Sequence, residues 1–271
     1  MKNRKFIVII YLFLIVCGIQ ISTKICERRE ESQYEKALRQ IKYQLDYIDT
    51  YSKDFSDDLQ ETNASAEERV AYLTFDDGPS PRTEEILDLL KENDIKATFF
   101  VINCKDEYIP YMKRASEEGH TIGVHSYSHK YEEIYKSVDA YLEDFTKCYE
   151  FIYENTGKYP SIFRFPGGSV NSFNKLTRKD IAREMARRGF AYFDWNVDSG
   201  DGMGKLSAQT IYKNVTDGCK GKRRAVIIMH DSIGKRSTAE ALGDIIKTLK
   251  DDGWVFRPLD KDVKPMVFRM K

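Results

Sequence analysis

From residue 69 onward the sequence predicts an α/β fold, a parallel sheet or barrel assembled from repeated strand–helix units. Two observations carry that prediction. Short apolar runs alternate with longer amphipathic segments along this part of the chain, which is the pattern of βα units. The residues best suited to chemistry, Asp76, Asp77, Arg164, Asp198 and His230, all fall at or just past the ends of those short runs. Parallel α/β folds build their active sites beyond the strand C-termini.

The elements follow in order. Residues 70–75 form the first strand, halted by Gly78-Pro79, a turn pair. Residues 82–92 make a helix with Leu87 and Leu90 inward, and 96–102 a second strand around Ala97-Thr98-Phe99-Phe100. A helix over 106–118 stops at Gly119, a C-capping residue. Residues 121–124 are a short strand, and 131–156 one long helix ended by Gly157. Further strands are expected at 161–165, 190–197, 225–229 and 254–256, with helices over 174–188, 207–218 and 237–251.

The front of the chain differs in composition. Lys2, Arg4 and Lys5 precede an apolar run from Phe6 to Val16 that extends through Ile21. Positive charge before such a run keeps the N-terminus inside and sends the rest across. About sixteen residues at 1.5 Å each give roughly 24 Å, short of a ~30 Å hydrocarbon core. Residues 1–25 are read as an uncleaved single-pass anchor, with a cleaved signal peptide or a lipid on Cys17 as alternatives. In each case the remainder is exported. Residues 26–68 are charged and free of Gly and Pro. Tyr34, Leu38, Ile41, Leu45 and Ile48 recur at steps of four and three, the seam of a coiled coil. Two heptads also suit an amphipathic helix or stalk, so 34–48 is a candidate surface for self-association, and 57–68 a linker. Residues 69–271 remain as the catalytic domain.

Basic and acidic residues balance at 43 each, so no overall field favours nucleic acid. No RNA-binding, zinc-finger or Walker signature occurs, and HExxH, the mark of many zinc peptidases, is absent. What stands out is Leu73-Thr74-Phe75-Asp76-Asp77-Gly78-Pro79, followed about fifty residues later by His125-Ser126-Tyr127-Ser128-His129. Paired Asp before Gly-Pro is by itself more often turn chemistry, and a chance His pair binds nothing. Together they suggest one divalent cation held by one carboxylate and two imidazoles. If the His segment turns helically, both rings face one way. The fourth position stays open for water, and the second carboxylate could take its proton.

Five segments occur in order: Thr74-Phe75-Asp76-Asp77-Gly78, His125-Ser126-Tyr127-Ser128-His129, Arg164-Phe165-Pro166-Gly167-Gly168, Trp195-Asn196-Val197-Asp198-Ser199-Gly200-Asp201 and Ile228-Met229-His230-Asp231. Over residues 69–258 they resemble the motifs of the polysaccharide deacetylases, carbohydrate esterase family four. The resemblance implies a distorted (β/α) barrel with fewer than eight repeats, here preceded by a membrane segment and helical stalk. It also implies metal-dependent removal of acetyl groups from polysaccharide, with N-acetylated peptidoglycan sugars the first substrate class for an anchored protein. Chitin-like, exopolysaccharide and xylan substrates, or an idle glycan-binding protein, are the alternatives. Asp77, His125 and His129 would hold the cation, zinc first and cobalt second. Asp76 would be the general base and Arg164 its partner, and His230 the acid with Asp198 orienting it. The Gly167 N–H would serve the oxyanion.

Two positions depart from the family pattern. Gly167 stands where Tyr is frequent, which removes a side-chain wall and opens the cleft there. Gly202 follows Asp201 where Trp is frequent, taking away the aromatic floor expected for the acetyl methyl. His120 is read as a strand support rather than a ligand. Cys104, Cys148 and Cys219 are read as buried free thiols, with one disulfide as the alternative, and residues 220–224 as a solvated basic turn.

Overall fold

The computed structural model describes residues 68–270. Its strands and helices run in order as β1 (Arg69–Gly78), α1 (Pro81–Glu92), β2 (Thr98–Ile102), α2 (Ile109–Glu117), β3 (Thr121–Ser126), α3 (Tyr131–Ile134) and α4 (Val138–Thr156). They continue as β4 (Ile162–Phe163), α5 (Arg178–Arg187), β5 (Ala191–Tyr192), β6 (Val197–Asp198), α6 (Ala208–Cys219), β7 (Arg224–His230), α7 (Arg236–Asp251) and β8 (Trp254–Phe256). The strands lie in the order β5-β4-β3-β2-β1-β7-β6, with β8 beside the start of β1. Every pairing is parallel. No ladder joins β5 to β6 among the described residues, so this is a half-barrel, in keeping with the distorted barrel the resemblance implies.

Side chains of a strand alternate between faces, and β1 sorts them by chemistry. Ala71, Leu73 and Phe75 enter the large core with Ile86, Leu87 and Leu90 of α1 and Leu242, Ile245, Ile246 and Leu249 of α7. Val70 and Tyr72 enter the inner cluster with Phe100, Ile162, Phe193, Val226 and Leu259. The same inner face continues through Thr74 to Asp76. It therefore runs from apolar to charged towards the strand's C-terminal end, and the first carboxylate emerges there.

Several boundaries differ from the sequence prediction, each for a local reason. The helix expected over 131–156 is two: α3 ends at Ile134, and Ser137 then caps α4, its side chain accepting from Ala140 N at 3.1 Å. The helix expected from 174 starts at Arg178, because Asn171 and Asn174 hold the preceding residues in side-chain-bonded turns. The strand expected over 190–197 is interrupted between β5 and β6, where buried Asp194 accepts from Ser169 N, Ser169 Oγ and Phe268 N. Gly157 ends α4 with φ 69°, the left-handed cap the sequence predicts.

Residues 1–67 and 271 lie outside the described part, and with them the anchor, the 34–48 seam and the linker. Among the described residues no helix is long and apolar enough to cross a membrane. Cys104, Cys148 and Cys219 are free thiols; Cys148 and Cys219 are buried and Cys104 half-buried.

Candidate active site

Asp76 and Asp77 are neighbours in sequence, so a regular strand would aim them at opposite faces. The register of β1 against β2 shifts between Asp76 and Gly78, and Asp77 adopts a left-handed φ of 71°. That kink, a bulge in effect, turns the second carboxylate back towards the first. Gly78 is needed beside it, since a Cβ there would lie 2.2 Å from Asp231 Oδ2.

His125 sits on β3 and His129 in the turn that follows, with φ 55°. The pair is thus presented by a strand end and a tight turn rather than by a helix, correcting the helical reading of its spacing. Asp144 of α4 makes the turn possible. Its carboxylate accepts from Ser126 Oγ, Tyr127 N at 2.8 Å and Ser128 N at 2.9 Å, and Ser126 Oγ in turn accepts from His129 N at 2.9 Å.

Asp77, His125 and His129 each point one ligand atom at a common space, all within 4.8 Å of one another. Asp77 Oδ1 is 3.2 Å from His129 Nε2 and 3.5 Å from His125 Nε2. Tetrahedral ligands about 2.1 Å from a zinc-sized ion lie roughly 3.4 Å apart, so the set fits a cation. Two further observations agree. Asp77 Oδ1 is buried with no hydrogen-bond partner among the described residues. His125 Nδ1 lies 2.9 Å from the Arg164 carbonyl and donates to it, which leaves Nε2 as the free lone pair. Burial pulls the His125 pKa down, more than Asp76 and Asp77 raise it, and neutral imidazole is the form that ligates.

Asp76 is almost wholly buried and paired with fully buried Arg164, whose Nη1 is 2.9 Å from Asp76 Oδ1. The guanidinium spends its other donors on Thr74 Oγ1 at 2.7 Å and on the carbonyls of Phe193 and Asp194 at 2.8 and 3.2 Å. It also lies 4.4 Å from the Phe100 ring centroid. Removing one partner from such a buried pair typically costs roughly 3–5 kcal/mol.

His230 ends β7 in register with Asp76, so the two share a face of adjacent strands. Its partner is Asp201. The His230 Nδ1–H donates to Asp201 Oδ1 at 2.7 Å, and His230 N donates to Oδ2 at 2.8 Å. Ser199 Oγ and Thr238 Oγ1 bind the same carboxylate at 2.8 and 2.7 Å. Burial disfavours the imidazolium, but the Asp201 bond and charge, with Asp76 and Asp77 beyond, outweigh it and raise His230 to about 9. The Asp201 carboxyl is held below its usual range; burial opposes this, and His230, Thr238 and Ser199 prevail.

This corrects the reading of Asp198 as the residue that orients His230. Asp198 is exposed and accepts from Gly200 N at 2.7 Å and Trp195 Nε1 at 3.3 Å. The strand β6 stops there, and Gly200, left-handed with φ 76°, swings Asp201 inward instead.

Gly167 and Gly168, with φ of 71° and 81°, form a turn pinned by Tyr135 Oη to Pro166 O at 2.8 Å and by Asn171 Nδ2 and Asn174 Nδ2 to Gly168 O at 3.0 Å each. Gly167 is exposed, and none of the described residues accepts its N–H. The wall expected to be missing at Gly167 is supplied from elsewhere: a Cβ built there would lie 3.2 Å from Tyr131 Oη. His120 supports the β2 start as predicted, its Nδ1 accepting from Ala97 N at 3.0 Å.

The polysaccharide deacetylase family profile matches residues 63–191. A peptidoglycan-N-acetylglucosamine deacetylase of Bacillus cereus is 36% identical over 200 residues, spanning 70% of this chain and 69% of that protein. The chain belongs to the polysaccharide deacetylase family. A peptidoglycan-N-acetylmuramic acid deacetylase of Bacillus subtilis is 30% identical, covering 72% of each chain. Among solved structures, the catalytic domain of a peptidoglycan N-acetylglucosamine deacetylase from Eubacterium rectale superposes with a TM-score of 0.73 at 34% identity, covering 78% of this chain and 98% of that one. The family is metal-dependent, and Asp77, His125 and His129 are the group of described residues able to hold an ion.

Sequence reasoning passed over Asp201, Asp144 and Tyr131. Asp201 lay within a quoted motif, but its direction depends on the Gly200 turn. Asp144 and Tyr131 carry no motif signal of their own.

Proposed function

We propose that this chain is a metal-dependent hydrolase that removes N-acetyl groups from peptidoglycan sugars, using zinc first and cobalt as a substitute. One observation carries the reading. An Arg-paired carboxylate, an Asp-paired imidazole and a three-ligand cluster share one end of the sheet. A binding protein has no use for both a poised base and a poised acid. Relatives named for N-acetylglucosamine and N-acetylmuramic acid substrates support the substrate class.

When bound, a divalent cation supplies Lewis acidity, polarising an acyl oxygen and acidifying water. The chain's own residues do the rest. Asp76, kept in place by Arg164, accepts a proton from the attacking water. The Gly167 N–H donates to the acyl oxygen as it gains charge. His230, protonated through Asp201, gives its proton to the nitrogen as the C–N bond breaks, because an amide nitrogen leaves poorly as an anion. Acetate and a free amine result. Residues 1–25 would anchor the protein in the cell membrane and residues 26–68 would space the catalytic domain towards the wall; the charge pattern of Lys2 to Ile21 supports this.

The test is acetate release from N-acetylated peptidoglycan and a panel of other acetylated glycans, with and without chelator. Release only from the other glycans would overturn the substrate class, and release undiminished in metal-free protein would overturn the metal.

A further inference from the structure

An aromatic wall leads outward from the ligand cluster. The Tyr131 ring lies 5.2 Å from that of His129, and Phe173 stacks on it at 5.3 Å with planes 25° apart. Tyr135 backs Tyr131 at 6.1 Å and 8°, and is itself buried. The rings thus run from a candidate ligand, through a half-buried phenol, to Phe173, which is 47% exposed. Each is held by local structure: Tyr131 opens α3, and Phe173 N donates to Asn171 Oδ1 at 2.9 Å.

The Tyr131 hydroxyl is the unusual part. It sits 3.2 Å from where a Gly167 side chain would begin, beside the exposed Gly167 N–H. None of the described residues takes its hydrogen bond. A phenol O–H that is half-buried normally finds a partner. Here the hydroxyl is open to solvent, so water or a bound ligand takes that place.

We propose that Tyr131 and Phe173 form the sugar-binding wall of the site, the Tyr131 hydroxyl donating to the pyranose whose acetamido group enters the cluster and Phe173 covering an apolar ring face. The occupant follows from the chemistry. An apolar platform with one isolated donor suits a pyranose, which presents C–H faces and a rim of hydroxyl and ring oxygens. A free acetyl group is too small to reach from the ligands to Phe173. This rests on the hydrolase reading for the direction of the acetamido group, while the wall itself can be tested without turnover.

The experiment compares the zinc-loaded protein with its Tyr131→Phe and Phe173→Ala variants. Calorimetry measures binding of the β-1,4-linked tetramer of N-acetylglucosamine, kinetics follow that tetramer and 4-nitrophenyl acetate, and elemental analysis follows zinc. A hydrogen bond worth about 1 kcal/mol corresponds to roughly fivefold. Tyr131→Phe should therefore weaken tetramer binding and raise its KM about fivefold. Phe173→Ala should change both in the same direction. Zinc content and the aryl acetate rate should stay within about twofold of the parent. Unchanged tetramer affinity in both variants would overturn the wall, as would a matching loss on the aryl acetate, or loss of zinc from Tyr131→Phe. Should the parent protein hydrolyse neither substrate nor N-acetylated peptidoglycan, the hydrolase reading fails, and tetramer binding alone still decides the wall.

Discussion

The two halves of the site are built by different means. The cation half, Asp76, Asp77 and His125, stands at the ends of β1 and β3, which pair with β2 in regular register as far as Asp76 and Val124 and shift just beyond. The acid half pairs His230, on equally regular β7, with Asp201, which comes from a 3-10 turn after the two-residue strand β6. Along the regular part of a long strand, position dictates direction, so a residue such as Asp76 can be placed from its number. After a short strand, one glycine dihedral decides which of two nearby carboxylates faces the site.

The largest effects belong to the cation half. His125→Ala and His129→Ala should each lose bound metal and abolish acetate release, measured by elemental analysis and an acetate assay. Asp76→Asn should keep the metal yet slow hydrolysis of every acetylated substrate by roughly 10²–10⁴-fold, the range of general-base help. Near-native rates in Asp76→Asn would remove the base from this half altogether.

The acid half should respond selectively. Replacing His230 by Gln should slow amide hydrolysis by about 10²–10⁴-fold but spare activated aryl acetates, whose leaving groups need no proton. The comparison breaks if both substrate types slow equally while fold and metal persist.

Next in size is the contrast between the two acidic residues. His230 is raised above its ordinary 6.5 to about 9, so the proton donor persists through neutrality and is lost as pH rises through that value. The alkaline limb of the pH–rate profile should lie at or below about 9, since a cation offsets the charge of Asp77. Asp201→Asn should drag this limb down towards 6.5, the ordinary value, whereas Asp198→Asn should leave it in place. The same linkage acts on stability. The His230–Asp201 contribution is fully present below the unfolded imidazole value and fades as pH rises through the folded one, so Asp201→Asn should flatten that decline in thermal melts.

A smaller effect within the acid half is expected at Gly202. A Cβ there would lie 2.9 Å from His230 Cε1, so Gly202→Ala should tilt the imidazole and lower amide turnover about tenfold, the cost of a modest misplacement. Aryl acetate rates should barely move.

Much of this was legible in the sequence because β1, β2, β3 and β7 combine strand periodicity with turn residues, fixing both fold and direction for Asp76, His125 and His230. The Arg164 pairing was legible through family resemblance alone, since its partner lies 88 residues away. What was not legible depended on backbone rotation or distant side chains. Asp77 needed a left-handed φ, which spacing does not announce. The His pair looked helical because a four-residue step suits a helix, while a strand end and Asp144 produce the same convergence differently. Tyr131 was hidden because its relevance comes from Gly167, 36 residues later, where a missing side chain leaves room for its hydroxyl.

Asp144 has a consequence for how the site lives with its cation. By gathering Ser126, Tyr127 and Ser128 onto one carboxylate, it shapes the turn with the protein's own bonds, so the ordering entropy of His129 is met during folding rather than at loading. Removing a bound ion should then leave the domain folded, which thermal melts with and without chelator would check. The stripped form would then be a dormant reservoir, its fraction in service set by the supply of free metal and not by the supply of newly made protein.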